Sequence, residues 1–123
     1  MKRGDIQKML EDFQNELGEK PYVYFQPPET VKLTYPCFVY SYSDVVIRYA
    51  NDSPYLKSEE YIVKYITKKA DPPMLDSLLK LQSLRFDRHF IADNLHHYSF
   101  VLSTPLKSIT PMVDLTEIEK RYL

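Results

Sequence analysis

The sequence predicts an α+β fold in which two helices cover one face of an antiparallel or mixed β-sheet, as a two-layer sandwich. Apolar residues recur at helical spacing in two short segments, whereas several other segments alternate with the period of two that is typical of strands. The aromatic set of 11 Tyr and 6 Phe without Trp also favours pleated sheet. Because 123 residues suffice for one core, we assign residues 1–105 to a single domain and residues 106–123 to a C-terminal extension.

Both predicted helices have recognisable boundaries. The first spans residues 5–17, with Asp5 as the expected N-cap and Gly18 as the expected stop. The second follows Asp71 and two prolines, which a first helical turn tolerates because its N–H groups lack helical partners. Its apolar stripe consists of Met74, Leu75, Leu78 and Leu79. A short third helix is expected over residues 114–122, in the extension, because Asp114 and Glu117 resemble a capping box.

The predicted strands are separated by turn residues. The segments with strand pattern are 22–25, 35–42, 45–50, 61–68, 84–91 and 96–103. Turns are expected at residues 51–54 and 92–94, and the connection over residues 44–60 is long enough to reach a neighbouring molecule. In the strand at 84–91, we expect Leu84, Phe86 and Phe90 to share one face.

Composition excludes several classes of function. Sixteen Lys and Arg against 17 Asp and Glu give a net charge of −1, which argues against a dedicated nucleic-acid binder. Two glycines are too few for a Gly-rich phosphate loop. The only cysteine, Cys37, allows no internal disulfide and no structural zinc site by itself, and we read it as a buried strand residue. We therefore predict no cofactor, and we see no signal peptide or membrane-spanning stretch.

The last predicted hairpin carries the densest polar cluster. Its members are Arg85, Asp87, Arg88, His89, Asp93, Asn94 and His97. We interpret them as a network of Arg–Asp pairs and Asx turns that fixes the hairpin. The alternative is an acid–base or metal site of a metal-dependent hydrolase, formed by Asp87, His89, Asp93 and His97. His96 and His97 are adjacent, so they point to opposite faces of a strand.

Residues 35–102 resemble a family of small virion proteins of long-tailed bacteriophages. The resemblance rests on the segments 35–40 and 49–55 and, more specifically, on the run Phe86-Asp87-Arg88-His89-Phe90-Ile91-Ala92-Asp93-Asn94-Leu95-His96-His97. Members are labelled minor capsid, head–tail joining or tail completion proteins. The chain departs from them at His96, where Asn is usual, and at Tyr98, where Asp is frequent.

The resemblance implies a structural protein of the phage neck. The expected member is the tail terminator, a hexameric ring that caps the tail tube and presents a surface to the head. Its partners are then further copies of itself, the tail tube protein and a head-side connector, while genome DNA passes through the lumen without specific binding. Its location is the virion, after assembly in the host cytoplasm, and no catalysis is implied.

A ring requires complementary patches on each subunit, and the sequence offers candidates for them. The pattern predicts an uncovered sheet face that is rich in Tyr, with area suited to a subunit or tail-tube contact. We expect this interface to include Arg48, Asn51, Asp52, Tyr55, Tyr61 and Tyr65. The extension after Pro105 is expected to lie on an adjacent subunit.

Three other functions stay open. Within the same class, the chain is a head-side stopper or adaptor that closes the portal channel. From other classes, it is the hydrolase built on the polar cluster, or a binding module directed at a host protein. Loss of a stoichiometric metal on substitution of His89 and His97 by Ala would identify the hydrolase.

Overall fold

The computed structural model describes residues 1–109, 113 and 115–123. These residues form a six-stranded mixed sheet with helices, which confirms the predicted α+β fold. In chain order the elements are α1 (Arg3–Glu16), β1 (Val23–Phe25), β2 (Cys37–Ala50), β3 (Ser53–Thr67), α2 (Pro73–Leu79), β4 (Leu84–Ala92), β5 (Leu95–Ser103), β6 (Lys107–Ser108) and α3 (Thr116–Lys120). The sheet order is β1-β2-β3-β5-β4, with β6 paired to β3. Strand β1 runs parallel to β2, and the other pairs are antiparallel.

The hydrophobic core lies between one face of the sheet and helices α1 and α2. Its helical members are Ile6, Leu10, Met74 and Leu78, and its sheet members are Phe38, Tyr40, Tyr61, Val63, Tyr65, Leu84, Tyr98, Phe100 and Leu102. Burial of each large apolar side chain stabilises the fold by about 1.5–3 kcal/mol. The Tyr40 hydroxyl also donates a 2.7 Å hydrogen bond to Gln7 Oε1, which fixes α1 against β2.

Helix α1 begins at Arg3, two residues before the predicted N-cap Asp5. Lys2 is the N-cap residue, and the Asp5 carboxylate accepts a 2.9 Å hydrogen bond from the Lys2 backbone N–H. Asp5 therefore stabilises the helix start from the third helical position, where a negative charge also meets the positive end of the helix dipole. Gly18 stands at the predicted stop with a φ of 74°, in the left-handed region that suits glycine.

The expectation that residues 44–60 form a long connection is wrong, because these residues continue the β2–β3 hairpin. Its turn consists of Asn51 and Asp52, with φ angles of 51° and 62°. Two consecutive positive φ angles characterise the two-residue turn whose twist matches that of the flanking strands. Asn and Asp adopt this conformation more readily than other residues with a Cβ atom, so the hairpin closes without glycine.

A β-bulge overturns the predicted faces of β4. Phe86 pairs with Phe100 and Arg88 pairs with Ser99, so Asp87 is the extra residue. A bulge reverses the alternation beyond it. As a result Phe90 lies on the face opposite Phe86, and the expectation that the two share a face is wrong.

The C-terminal segment adds one short strand and one short helix. Strand β6 pairs with Leu56 and Lys57 of β3 in the same chain. The predicted N-cap Asp114 lies outside the described residues, whereas α3 falls within the predicted helix over residues 114–122 and has no buried residue. No helix among the described residues is long and apolar enough to cross a membrane.

Candidate functional site

The distal half of the β2–β3 hairpin projects beyond the helices. We call residues 44–59 the arm. Near Tyr42 and Tyr61 the two strands leave the region covered by α1 and α2, and most arm residues of β2 are exposed. At about 3.3 Å per residue, the seven β2 residues of the arm extend about 23 Å. The arm is thus a regular structure that packs under no other layer of this chain among the described residues.

The arm carries an apolar stripe on the face that continues the core. The side chains of Tyr42, Val45, Ile47 and Tyr49 lie on this face, because Tyr42 pairs with Tyr61 and Val45 pairs with Glu59. Their exposed fractions are 44%, 39%, 41% and 64%. A run of exposed aromatic and β-branched side chains on a rigid hairpin is typical of a surface that another protein covers.

Hydrogen bonds fix the base of the arm to the segment after β5. The Ser58 hydroxyl donates to the Thr104 carbonyl oxygen at 2.6 Å, and the Glu59 N–H donates to Thr104 Oγ1 at 2.8 Å. In return the Thr104 N–H donates to the Glu59 carbonyl oxygen at 2.9 Å. An ion pair of 3.8 Å joins Lys107 to Glu59. These contacts set the direction in which the arm leaves the core.

The predicted interface residues divide into two groups. Arg48, Asn51, Asp52 and Tyr55 are exposed on the arm. Tyr61 and Tyr65 are only 6% and 1% exposed and belong to the core, so their predicted place on an uncovered surface is wrong. The strand period of two predicts that these Tyr residues share one face of the sheet. Near the start of β2 and the end of β3, helices α1 and α2 cover that face. The Tyr-rich face is therefore the covered one there, and it becomes uncovered only along the arm.

The polar cluster of the last hairpin is split between two faces. His89 pairs with Tyr98, whereas His97 pairs with Phe90 on the opposite face. His89 Nε2 instead lies 3.0 Å from His96 Nδ1, in rings only 8° from parallel. No group of three or more His, Cys, Asp and Glu side chains that could hold a metal occurs in the described part of the chain.

The turn of this hairpin forms at the predicted residues, whereas the predicted pairs between its charged residues do not form. Asp93 and Asn94 adopt φ angles of 54° and 62°, so both form the two-residue turn. Within residues 1–109, 113 and 115–123, the predicted Arg–Asp pairs do not form, and the Arg88 guanidinium lies 5.3 Å from the centre of the Phe90 ring. Burial and the nearby Lys64 ammonium lower the pKa of His97.

A cleft that the sequence did not reveal lies at the other end of β3. Its volume is about 660 Å³, and it is bounded by the segment after α1, the segment before β2 and the link from β3 to α2. Glu19 lies in its wall and accepts hydrogen bonds from the Tyr65 hydroxyl at 2.5 Å and from Gln14 Nε2 at 3.3 Å. Burial and this bond to Glu19 raise the pKa of Tyr65.

The cleft is lined by apolar side chains and by exposed lysines. The walls include Leu17, Tyr22, Tyr35, Pro36 and Pro72, and the lysines are Lys20, Lys68 and Lys69. These residues come from three segments that are far apart in sequence, so no local pattern predicts the cleft. The volume falls in the range of sites that hold a few side chains or a small ligand.

The chain matches no model of a known protein family, and no curated protein matches it significantly.

Proposed function

We propose that the protein is a structural subunit of the neck of a long-tailed bacteriophage, acting as the tail terminator. It assembles into a hexameric ring that caps the tail tube and joins it to the head, and it works by assembly without catalysis. The arm is the observation that carries this proposal. It is a preformed hairpin with an uncovered apolar stripe. Proteins that act as monomers rarely expose a contiguous apolar surface of this kind.

The arm suits a contact between neighbouring subunits of a ring. Closed rings use two different patches on each subunit, so a projecting element on one copy meets a different surface on the next. Because the arm is already folded, docking it loses little backbone entropy. Tyr42, Ile47 and Tyr49 supply the aromatic and aliphatic area that often dominates binding energy in protein interfaces.

The sequence resemblance supports the same proposal from another part of the chain. The run from Phe86 to His97, which is its most specific segment, forms the β4–β5 hairpin with its bulge at Asp87 and its turn at Asp93 and Asn94. This hairpin is the edge of the sheet opposite β1, and β4 offers a free edge among the described strands. The arm and this edge are two different surfaces, as a ring subunit needs.

The proposed partners follow from the position in the neck. One side of the ring contacts the tail tube protein, and the other contacts a head-side connector. Genome DNA passes through the lumen, and a chain of net charge −1 has no basic surplus with which to retain phosphates. The protein is assembled in the host cytoplasm and resides in the virion.

The mass of the protein in solution tests the proposal. Sedimentation velocity of the purified chain is expected to show a hexamer or an oligomer that becomes hexameric on tail tubes. The double variant Ile47→Ser, Tyr49→Ser is expected to shift it to monomer while circular dichroism stays unchanged, because both side chains are exposed in the single chain. Val31→Ser removes an apolar side chain that lies away from the arm and is about as exposed as Ile47, and it should leave the oligomer intact. A chain that stays monomeric with and without tail tubes contradicts the proposal.

A further inference from the structure

We infer that His89 and His96 form a binding site for a divalent transition-metal ion of the kind that imidazole ligands suit, such as zinc, nickel or copper. The ion binds His89 Nε2 and His96 Nδ1 and so joins strand β4 to strand β5. The site is independent of the proposed ring. It also differs from the cluster that the sequence offers for a hydrolase, because it uses none of Asp87, Asp93 and His97.

The ring nitrogens of the two histidines already converge. His89 Nε2 lies 3.0 Å from His96 Nδ1, and the ring planes are 8° from parallel. The 5.2 Å between the ring centres is close to this distance plus the two ring radii, so the rings meet edge to edge. A tetrahedral ion with nitrogen ligands at about 2.0–2.1 Å holds two of them about 3.3–3.4 Å apart. The pair therefore receives an ion after a slight opening and a turn of the rings within their common plane.

The Tyr98 ring supports this common plane. It stacks on the His89 ring, with centres 4.6 Å apart and planes 22° apart, and it lies 14° from the plane of the His96 ring. Tyr98 is only 6% exposed, so it is a fixed platform that belongs to the core. The strand register explains the arrangement, because His89 pairs with Tyr98 and His96 stands two positions before it on the same face. Ligands that are held in place before binding lose little side-chain entropy when the ion binds.

The charges and the position of this hairpin also suit a cation. Both arginines of β4, Arg85 and Arg88, lie on the opposite face of the sheet, as does Lys64. On that face the Arg88 guanidinium and the Lys64 ammonium lie 5.3 and 6.0 Å from the centre of the Phe90 ring. His89 is exposed on β4, which offers a free edge among the described strands. A bound ion therefore meets neither arginine of this strand and keeps its remaining coordination positions for water.

Isothermal titration of the full-length, chelator-treated chain with zinc chloride tests the inference directly. One Zn²⁺ per chain is expected to bind. His89→Gln and His96→Gln each remove one ligand, and each should weaken binding by roughly tenfold or more, because even the loss of an outer-shell partner costs about 10–100-fold. His97→Gln is the matched control, because His97 lies on the opposite face, and it should bind zinc as the parent does.

Three results of this titration would overturn the inference. They are a parent chain that binds no zinc at millimolar concentration, full affinity in either variant of the pair, and an equal loss of affinity in the His97 variant. The last result would point to the hydrolase cluster, of which His97 is a member. None of the three bears on the oligomeric state, so the proposed ring is tested separately.

Thermal unfolding gives a second readout. An ion that binds the folded chain better than the unfolded one raises the melting temperature as its concentration increases. We expect zinc to raise the melting temperature of the parent and of the His97 variant, because both keep the paired ligands. The His89 and His96 variants should melt at the same temperature with and without zinc. An equal rise in all four proteins would overturn the inference.

Discussion

The Ser58 hydroxyl and the Thr104 carbonyl oxygen form a buried hydrogen bond of 2.6 Å between residues 46 positions apart in the chain. It joins the base of the arm to the segment that follows β5, where Thr104 also bonds twice to the backbone of Glu59. A hairpin that extends beyond its core needs such a fixed base to keep one direction. Thr104 therefore adds three hydrogen bonds to the strand pairing that fixes the base of the arm.

Replacing Thr104 by Val is expected to destabilise the protein by about 1–2 kcal/mol. The substitution conserves shape but removes Oγ1, so the Glu59 N–H loses its partner in a partly buried position. Urea unfolding followed by circular dichroism measures the change. Thr30→Val, at an exposed position, is the control and should leave the unfolding midpoint unchanged. A Thr104 variant as stable as the parent would show that the arm does not depend on this contact.

Stability is expected to fall in alkaline solution, in part through Tyr65. Burial and the bond to Glu19 raise the pKa of Tyr65 above its ordinary value of 10.0, so the folded state favours the neutral phenol. The stabilisation is complete below about pH 10 and is lost as the pH rises further, because the unfolded chain releases the proton more easily. Burial also raises the pKa of Cys37, to about 12, which adds to the same loss.

The variant Tyr65→Phe isolates the contribution of this hydroxyl. At neutral pH it should be less stable by about 1–2 kcal/mol, since the hydrogen bond to Glu19 is gone. Between about pH 9 and pH 11 its stability should fall less than that of the parent. Urea unfolding across this range provides the comparison, with Tyr122→Phe as an exposed control. Parallel curves for parent and Tyr65 variant would disprove the assignment.

His97 is expected to make the protein less stable in mild acid. Burial and Lys64 lower the pKa of His97 below its ordinary value of 6.5, so the folded state favours the neutral ring. The stabilisation is complete above about pH 6.5 and is lost as the pH falls, because the unfolded chain takes up the proton first. His97→Gln should therefore lose less stability between pH 7.5 and pH 5 than the parent, as measured by thermal unfolding. An identical loss in both proteins would contradict this role.

Asp52→Gly is expected to stabilise the arm. Asp52 adopts a φ of 62°, which glycine reaches without a steric penalty, and Asn-Gly is the preferred pair for this turn. Relief of left-handed strain, about 1–2 kcal/mol for a residue with a Cβ atom, outweighs the backbone entropy of about 0.5–1 kcal/mol that glycine adds to the unfolded chain. The expected net gain is about 0.5–1 kcal/mol, seen as a higher melting temperature. Asp52→Val, with a branched side chain at the same angle, should lower it by a larger amount. A Val variant as stable as the parent would show that the turn is not held in this conformation.

Local patterns predicted most of the elements and several of their ends, but not strand β6 or the part of β3 before Tyr61. The strand segments, the stop at Gly18 and the turn at Asp93 and Asn94 all follow from residue preferences that act over a few positions. The common face of Phe38 and Tyr40 follows from the strand period in the same way. These features depend on backbone geometry close in sequence, so one chain is enough to predict them.

The remaining features depend on contacts between distant segments. A single extra residue at Asp87 reversed the face of Phe90, and no local signal marks that bulge. The period of two placed Tyr61 and Tyr65 on one face but did not tell how far α1 and α2 cover it. The cleft joins residues 17–22, 34–36 and 65–73, which only the folded sheet brings together.

The location of the protein in virions is the measurement that tests the central claim most directly. Cryo-electron microscopy of purified virions, with the chain identified by a bound antibody fragment, is expected to show a six-fold ring between the head and the tail tube. In the same map, the arm should contact the adjacent subunit or the tube. A twelve-fold ring on the head side, or the absence of the chain from virions, would contradict the account.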